Sequence, residues 1–249
     1  MLTEERKNEI LRLLELKDIV KNRDLMDRLD VSESTIRRDL QEMEEENLLS
    51  RIHGGAKRII KLEPELTMIE KSVKNTQEKK KIAAYAASLV NDGDYIYLDA
   101  GTTTYDMLPY LQTKDCHVIT NSVYHATLSV DIGLPTIIVG GEIRQKTKSI
   151  VSHTSIEQLQ AYYFDKAFMG VNGIHIDYGY TTADPYEAQA KKIAIGQAQR
   201  SYILADSTKF NKVNFSKVTD IEAASIITTT VPDEIKHKLT ELTTIKEVD

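Results

Sequence analysis

The chain of 249 residues has a single cysteine, Cys116, and no apolar run long enough to cross a bilayer. One thiol excludes an internal disulfide and a thiolate metal cluster, and a reducing, cytoplasmic setting is the simplest fit. The six histidines, at 53, 117, 125, 153, 175 and 237, show no paired ligand spacing, so no metal site is expected. Charged residues from Glu4 onward leave no room for an apolar leader, and no secretory signal is expected. There is no G-x-G-x-x-G, no G-x4-G-K-[ST], no repeat and no low-complexity segment. Nucleotide cofactors therefore find no support, and no cofactor is expected. A basic surplus is missing too: the net charge is −6, which argues against indiscriminate polyanion binding.

What is present suits two globular domains, with 41% hydrophobic and 28% charged residues. Residues 1–60 carry 12 Lys/Arg against 14 Asp/Glu, a net of −2, but the charges are sorted. Glu42, Glu44, Glu45 and Glu46 crowd one stretch, while from Asn47 to Leu62 there are Arg51, Lys57, Arg58 and Lys61 and no acid. Thr3 is placed to cap a helix to about Leu16, with Glu4 and Glu5 favourable at its dipole. Residues 17–21 read as a connection anchored by Val20, followed by a short helix over Asn22–Leu29 and a turn at Asp30. Ser32 then caps a helix over Glu33–Glu46, with Val31 and Ile36 as a hydrophobic staple. Ile36, Leu40 and Met43 form its apolar stripe, leaving Glu33, Ser34, Arg37, Arg38 and Gln41 outside. Hydroxyls and guanidiniums near a helix start are what a DNA major groove asks of a recognition helix. On those residues alone a solvated helix with two surface arginines competes. The flanks decide: two preceding helices, then a hairpin of 48–52 and 56–60 about His53-Gly54-Gly55, complete a winged helix-turn-helix.

Glu4-Glu5-Arg6, Val31-Ser32, Thr35-Ile36-Arg37-Arg38-Asp39-Leu40 and Arg51-x-His53-Gly54-Gly55-Ala56 resemble the DeoR family of bacterial regulators of sugar metabolism. The resemblance implies that Ser34, Thr35, Arg37 and Arg38 lie at DNA, and Arg51, His53 and Lys57 of the wing join them as candidate contacts. Asp39 is expected to hold the domain together by pairing with a base, for which Arg51 is the candidate.

The expected division is a DNA-binding domain over 1–58, a linker over 59–75 containing Pro64, and an α/β domain over 76–249. In the last, a helix from Asn75 to Val90 is followed by alternating strands and helices. The strands are Tyr95–Asp99, His117–Asn121, Thr136–Val139, Ala167–Met169, Tyr202–Ala205 and Ser225–Thr229. The helices are Thr104–Leu111, Val123–Val130, Thr154–Ala161, Tyr186–Arg200 and Asp233–Leu239. Alternation at this spacing argues for a parallel, Rossmann-like sheet. Ligands in such sheets bind at the carboxyl ends of strands. There stand Asp99, Gly101, Thr102 and Thr103, then Asn121, Gly140-Gly141, Asp165, Asn172, and Asp206 with Lys209. Glu187 and Lys191, one helical turn apart, are either a surface pair or sugar ligands. Together these polar strand ends favour a polyol-phosphate pocket over plain turn chemistry.

Further segments carry the resemblance onward: Asn75-x-x-Glu78-Lys79, Leu98-Asp99-x-Gly101-Thr102-Thr103, Thr120-Asn121-Ser122 and Leu204-Ala205-Asp206-x-x-Lys209-Phe210 look like the family's effector domain. That domain is similar to sugar-phosphate isomerases of the ribose-5-phosphate type. Phe164-Asp165-Lys166-Ala167-Phe168 and Tyr178-Gly179-x-Thr181-Thr182-x-Asp184-Pro185 look nearest to fructose-operon and lactose-phosphotransferase repressors. One departure is Ser152, where the family usually has glycine; a hydroxyl there is expected to narrow the pocket or alter its hydrogen bonding. The resemblance implies a repressor of a sugar-utilisation operon, not an enzyme, controlled by a sugar phosphate such as fructose 1-phosphate or tagatose 6-phosphate. Its partners would be operator DNA, that effector, and further copies of the chain as a dimer or tetramer, with no membrane. The alternative is a sugar-phosphate isomerase with a DNA-binding appendage, using Asp99 or Glu187 to shuttle a proton. An RNA-binding module ranks below both, for want of exposed aromatic clusters.

Overall fold

The computed structural model describes residues 2–59, 62 and 65–249. Ile60, Lys61 and Pro64, which the sequence reading used, lie outside the described residues. The chain divides into two compact units, Met1–Lys61 and Leu62–Asp249.

In the first unit, α1 (Thr3–Lys17), β1 (Ile19–Lys21), α2 (Asn22–Leu29) and α3 (Glu33–Glu45) precede the wing strands β2 (Leu49–Ile52) and β3 (Gly55–Arg58). Ile10, Leu13 and Leu14 of α1, Leu25 and Leu29 of α2, and Ile36, Leu40 and Met43 of α3 close one core with Val20, Leu49 and Ala56. Asp30 ends α2 at φ 51°, a left-handed position that Asp tolerates. Ser32 caps α3, its Oγ accepting from the Thr35 amide at 3.3 Å. The three strands pair antiparallel in the order β1-β3-β2. Gly55 is required there: a Cβ would sit 2.0 Å from the Val20 carbonyl oxygen.

The second unit opens with α4 (Met68–Ser72) and α5 (Thr76–Ser88), then β4 (Tyr95–Leu98), α6 (Thr102–Tyr105), α7 (Leu108–Leu111), β5 (His117–Thr120), α8 (Val123–Asp131), β6 (Thr136–Ile138) and α9 (His153–Gln160). It continues with β7 (Phe164–Gly170), β8 (Gly173–His175), β9 (Gly179–Thr182), α10 (Pro185–Gly196), β10 (Ala198–Leu204), β11 (Ser216–Thr219), β12 (Ser225–Thr228), α11 (Asp233–Leu242) and β13 (Ile245–Glu247). Seven strands form a parallel sheet in the order β13-β12-β10-β7-β4-β5-β6. Its two faces are covered by two apolar clusters. One holds Ile82, Ala83 and Ala86 of α5 with Leu108 and Leu111 of α7, and the other holds Ile156 and Leu159 of α9 with Ala190 and Ala194 of α10. The order reverses at β4, whose neighbours are β7 and β5, so a ligand crevice belongs at its carboxyl end. A second sheet, β11-β9-β8, is antiparallel and carries Thr181 and Thr182.

Four expectations are corrected. The segment 59–75 is not a plain linker: Thr67 caps α4 with a capping box closed by Glu70, and from Leu62 onward the stretch belongs to the second unit. The helix expected over Thr104–Leu111 is two short ones, because Pro109 has no amide to donate and its ring clashes with the turn before it. The helix expected to run to Arg200 stops at Gly196, and β10 starts at Ala198. Residues 17–21 are not a bare connection, since β1 extends the wing sheet there.

Candidate functional site

The outer face of α3 and the wing meet over one groove lined by Arg37, Arg51, His53 and Gly54, together with Asn22 and Arg23 of α2. Arg37 and Arg38 are both exposed, paired along the helix to Glu33 at 2.6 Å and Glu42 at 3.9 Å. Such pairs are weak in water and can yield to a phosphate. Ser34 and Thr35 both bond their hydroxyls to the Ser32 cap at 2.9 Å, and Lys57 is exposed on β3. Arg23 was missed, because one exposed cation at a helix start carries no pattern. Asp39 does not pair with Arg51. Its carboxylate takes two bonds from Arg6 of α1, Nε to Oδ2 at 2.8 Å and Nη2 to Oδ1 at 3.0 Å, in a buried fork. Arg51 instead donates its amide to Glu44.

In the second unit a cavity of about 310 Å³ opens at the carboxyl ends of β4, β7 and β10, within the range of small-molecule sites. Asp99, Gly101, Thr102, Thr103, Asn172, Glu187, Lys191, Asp206 and Lys209 line it, as the sequence suggested. Two expected residues do not. Asp165 lies at the opposite end of β7, near its start, where it accepts from the Tyr95 amide and Gln199. Asn121 sits behind the wall, its Oδ1 accepting from the Ala100 amide at 3.0 Å, and so shapes the loop that leads to Gly101. Ser152 is not in the wall either: it caps α9 through Ser155, and its Oγ fills the space beside Gly141. It therefore does not narrow the pocket.

The sequence reading missed Lys71, Lys74, Lys79, Lys212 and Thr147, which also line the cavity. Lys79 had a signal, since it stands on the apolar stripe of α5 with Ile82, Ala83 and Ala86. Lys71 had none. The walls thus carry six lysines against Asp99, Glu187 and Asp206. Each acid is already engaged. Lys191 Nζ donates to Asp99 Oδ2, and both side chains are buried. Lys209 lies 3.7 Å from Asp206, which also accepts from Asn75 and Thr208. Glu187 Oε1 accepts from Arg144, Thr147 and Ser149 at 3.1, 2.8 and 2.9 Å. Burial acts to raise the Glu187 carboxyl, but Lys191, the two hydroxyls and Arg144 outweigh it and hold the group below its ordinary value. By contrast Lys71, Lys74 and Lys79 form no ion pair among the described residues, and burial pushes Lys71 and Lys79 below the ordinary lysine range. An anion would restore what burial removes. Because α6 has a single turn, these lysines rather than a helix dipole make the cavity anion-seeking.

Behind the Asp99–Thr104 loop, buried His125 is satisfied in one neutral tautomer. Ser122 Oγ donates to Nδ1 at 2.7 Å, Nε2–H donates to Thr104 Oγ1 at 3.1 Å, and the Thr104 hydroxyl donates to the Asp99 carbonyl at 2.6 Å. Burial pushes His125 down from 6.5 to about 3. In the window between those values the unfolded chain binds a proton that the folded chain does not, so stability falls as pH falls. Lowering pH from 6.5, where the unfolded imidazole is half protonated, to 5 should cost about 1.6 kcal/mol through this residue, the slope approaching about 1.4 kcal/mol per pH unit at the acid end. Denaturation midpoints across that range should fall less steeply in His125→Gln; the wild-type slope in the variant would remove His125 as the cause.

A model of the DeoR-like helix-turn-helix domain matches residues 6–61, and a model of the DeoR C terminal sensor domain matches residues 74–230. The chain is 44% identical over 251 residues to the HTH-type transcriptional regulator FruR of Bacillus subtilis (strain 168), itself uncharacterized, covering 100% of this chain and 99% of the relative. It is 33% identical over 250 residues to the lactose phosphotransferase system repressor of Streptococcus mutans serotype c, covering 98% and 99%. Ribose 5-phosphate isomerase A of Methanocaldococcus jannaschii aligns over 55% of each chain with TM-score 0.41 and 21% identity, too distant to bear on activity. A reading domain joined to a sensor defines a DNA-binding transcriptional regulator. The chain belongs to the DeoR family. The isomerase alternative falls with this: Asp99 is locked to Lys191, and Glu187, held ionised by its donors, is a poor proton acceptor. Among the described residues no helix is long and apolar enough to cross a membrane.

Proposed function

We propose that this regulator is a repressor of a sugar-utilisation operon, released or held by a phosphorylated sugar in the cavity, with fructose 1-phosphate and tagatose 6-phosphate as the leading candidates. The surplus of lysines over acids in the cavity walls carries the reading. Lys71, Lys74 and Lys79, with Lys209, take the phosphate beside Gly101, Thr102 and Thr103. Asn172 and Glu187 take sugar hydroxyls; Arg144, Thr147 and Ser149 all bond Glu187 through Oε1, so Oε2 is the oxygen that meets the ligand. Asp99, Lys191 and Asp206 fix the wall around them. The similarity to lactose phosphotransferase system repressors supports the sugar-phosphate class.

Arg37, Arg38, Arg51, His53 and Lys57 contact operator phosphates and base edges, and Ser34 and Thr35 set the register. A reading domain of net −2 binds weakly as one copy, so the working form is a homo-oligomer acting in the cytoplasm. A thermal-shift screen with fructose 1-phosphate, fructose 6-phosphate and tagatose 6-phosphate tests the effector: a ligand at a hundred times its Kd should add about 2.7 kcal/mol of stability. No stabilisation by any of them would sink the sugar-phosphate reading. Arg37→Ala should weaken operator binding by about tenfold or more per copy while leaving the ligand's stabilisation intact. Equal operator affinity at fixed salt would take Arg37 off the DNA.

A further inference from the structure

One wall of the cavity is the segment by which the sensor is reached from the DNA-binding unit. That unit ends at Lys61, and Leu66, Met68, Lys71, Lys74 and Asn75 already line the cavity. The segment has little to hold it from within: α4 is five residues long and buries none of them. An isolated helix of that length is not stable in water, so its position depends on outside contacts.

At its far end the segment is held by Lys71 bonding Asn172 and Asn75 bonding Asp206, and at its start the contacts come from one turn. Between Ile143 and Ile150, which form a bridge, the chain reverses tightly, with the Arg144 amide donating to the Ser149 carbonyl at 2.9 Å and Lys148 at φ 56°. The turn grips the segment at two points: the Met68 amide donates to the Lys146 carbonyl at 3.2 Å, and Glu65 faces Arg144 and Lys146, each at 3.7 Å. On its other side the same turn grips the cavity. Arg144 Nη1 reaches Glu187 Oε1 at 3.1 Å and Nη2 reaches Asp184, the cap of α10, at 3.2 Å. Thr147 and Ser149 bond the same Glu187 oxygen. Glu65 Oε1 is buried with no hydrogen bond, so its charge is met by nearby cations, Arg144 and Lys146 at 3.7 Å and the Lys71 charge beyond them.

We infer that Arg144 is a positioning residue that couples cavity occupancy to the 65–75 segment, by sharing one guanidinium between Glu187 in the cavity wall and Glu65 in the segment. The inference rests on the sugar-phosphate reading of the cavity. A ligand that engages Glu187 Oε2 and the Lys71 and Lys74 ammonium groups binds the docked segment better than a released one. That differential affinity is the requirement for a ligand to shift a conformational equilibrium. Through the chain, the docked segment restrains where the DNA-binding unit can be held. Without Arg144, Glu187 keeps its hydroxyl partners, but the segment loses its charged link to the cavity.

Two measurements on the full chain test this, with Arg144→Gln and, at the other end of the pair, Glu65→Gln. Amide exchange should speed up by tenfold or more over 66–75 in both variants, while β4, β7 and α3 stay as protected as in wild type. Operator titration with and without fructose 1-phosphate or tagatose 6-phosphate should show wild-type operator affinity in the absence of sugar, and a sugar effect less than a third of the wild-type factor. If Arg144→Gln loses protection in β4 and β7 as well, it has failed to fold and Glu65→Gln decides. Unchanged exchange over 66–75, or a full sugar effect in a folded variant, overturns the inference. A wild-type protein that answers to no sugar phosphate would instead sink the reading of the cavity, and the exchange result would still decide whether Arg144 holds the segment.

Discussion

Asp39→Ala should unfold the DNA-binding unit although Asp39 cannot touch DNA. Its carboxylate is fully buried between α1 and α3, and the Arg6 fork is its partner. Removing the carboxylate strips the guanidinium of the two bonds it makes across the interface, and Thr3 Oγ1, at 3.4 Å, is a long and neutral substitute. Losing one partner of a buried ion pair costs about 3–5 kcal/mol, and the low end applies here because Arg6 lies near the edge of a small domain. A unit of this size has little more than that in reserve. Its melting transition should drop by more than about 10 °C, since about 1 kcal/mol moves a domain of this size by several degrees. Operator binding should disappear at growth temperature, with sugar-phosphate binding retained. A double variant, Arg6→Met with Asp39→Leu, should recover most of the stability, because the fork as a whole is worth far less than half of it is worth losing. An unchanged melting transition in Asp39→Ala would mean that the fork contributes nothing.

This pair also marks where reading the sequence stops. The stripe Ile36, Leu40 and Met43 was legible because helical periodicity is local, and so was the Ser32 cap. That Asp39, on the same helix, needed a basic partner was legible too. Which base was not: Arg6 lies 33 residues earlier, and only the packing of α1 across α3 brings it in. Strand β1 escaped for the same reason, since nothing in Ile19–Lys21 says that Gly55–Lys57 will pair with it. In the sensor, residues just after strands were legible as cavity lining because a parallel sheet puts every such end on one edge, which is how Asp99, Asn172 and Asp206 were found. Asp165 failed because β7 begins at Phe164, three residues before the strand read from the sequence, which moves Asp165 from a flank to the far end. Lys71 and Arg144 lie in short, aperiodic pieces held by tertiary contacts, and no spacing rule reaches them.

Lys191→Met should disable the sensor as Asp39→Ala disables the reader, but by a separable route. Lys191 Nζ donates to Asp99 Oδ2, and the same oxygen accepts from the Gly170 amide at 3.2 Å. Both side chains are buried, one from α10 and one from the end of β4, so the pair ties the helix to the strand at the crevice. Methionine keeps the length and apolar stem of lysine while removing the charge, and leaves Asp99 with one amide donor. The expected loss is about 3 kcal/mol, again at the low end, because the cavity lets water approach the stranded carboxylate. Adding Asp99→Asn removes that charge and should restore most of the stability, since the asparagine oxygen can still accept from Gly170. If the pair also builds the effector site, the double variant will fold and still fail to be stabilised by any sugar phosphate, and its operator binding will no longer respond to sugar. Were the folded double variant to bind the sugar phosphate as tightly as wild type, Asp99 and Lys191 would be a strut of the sheet edge and nothing more.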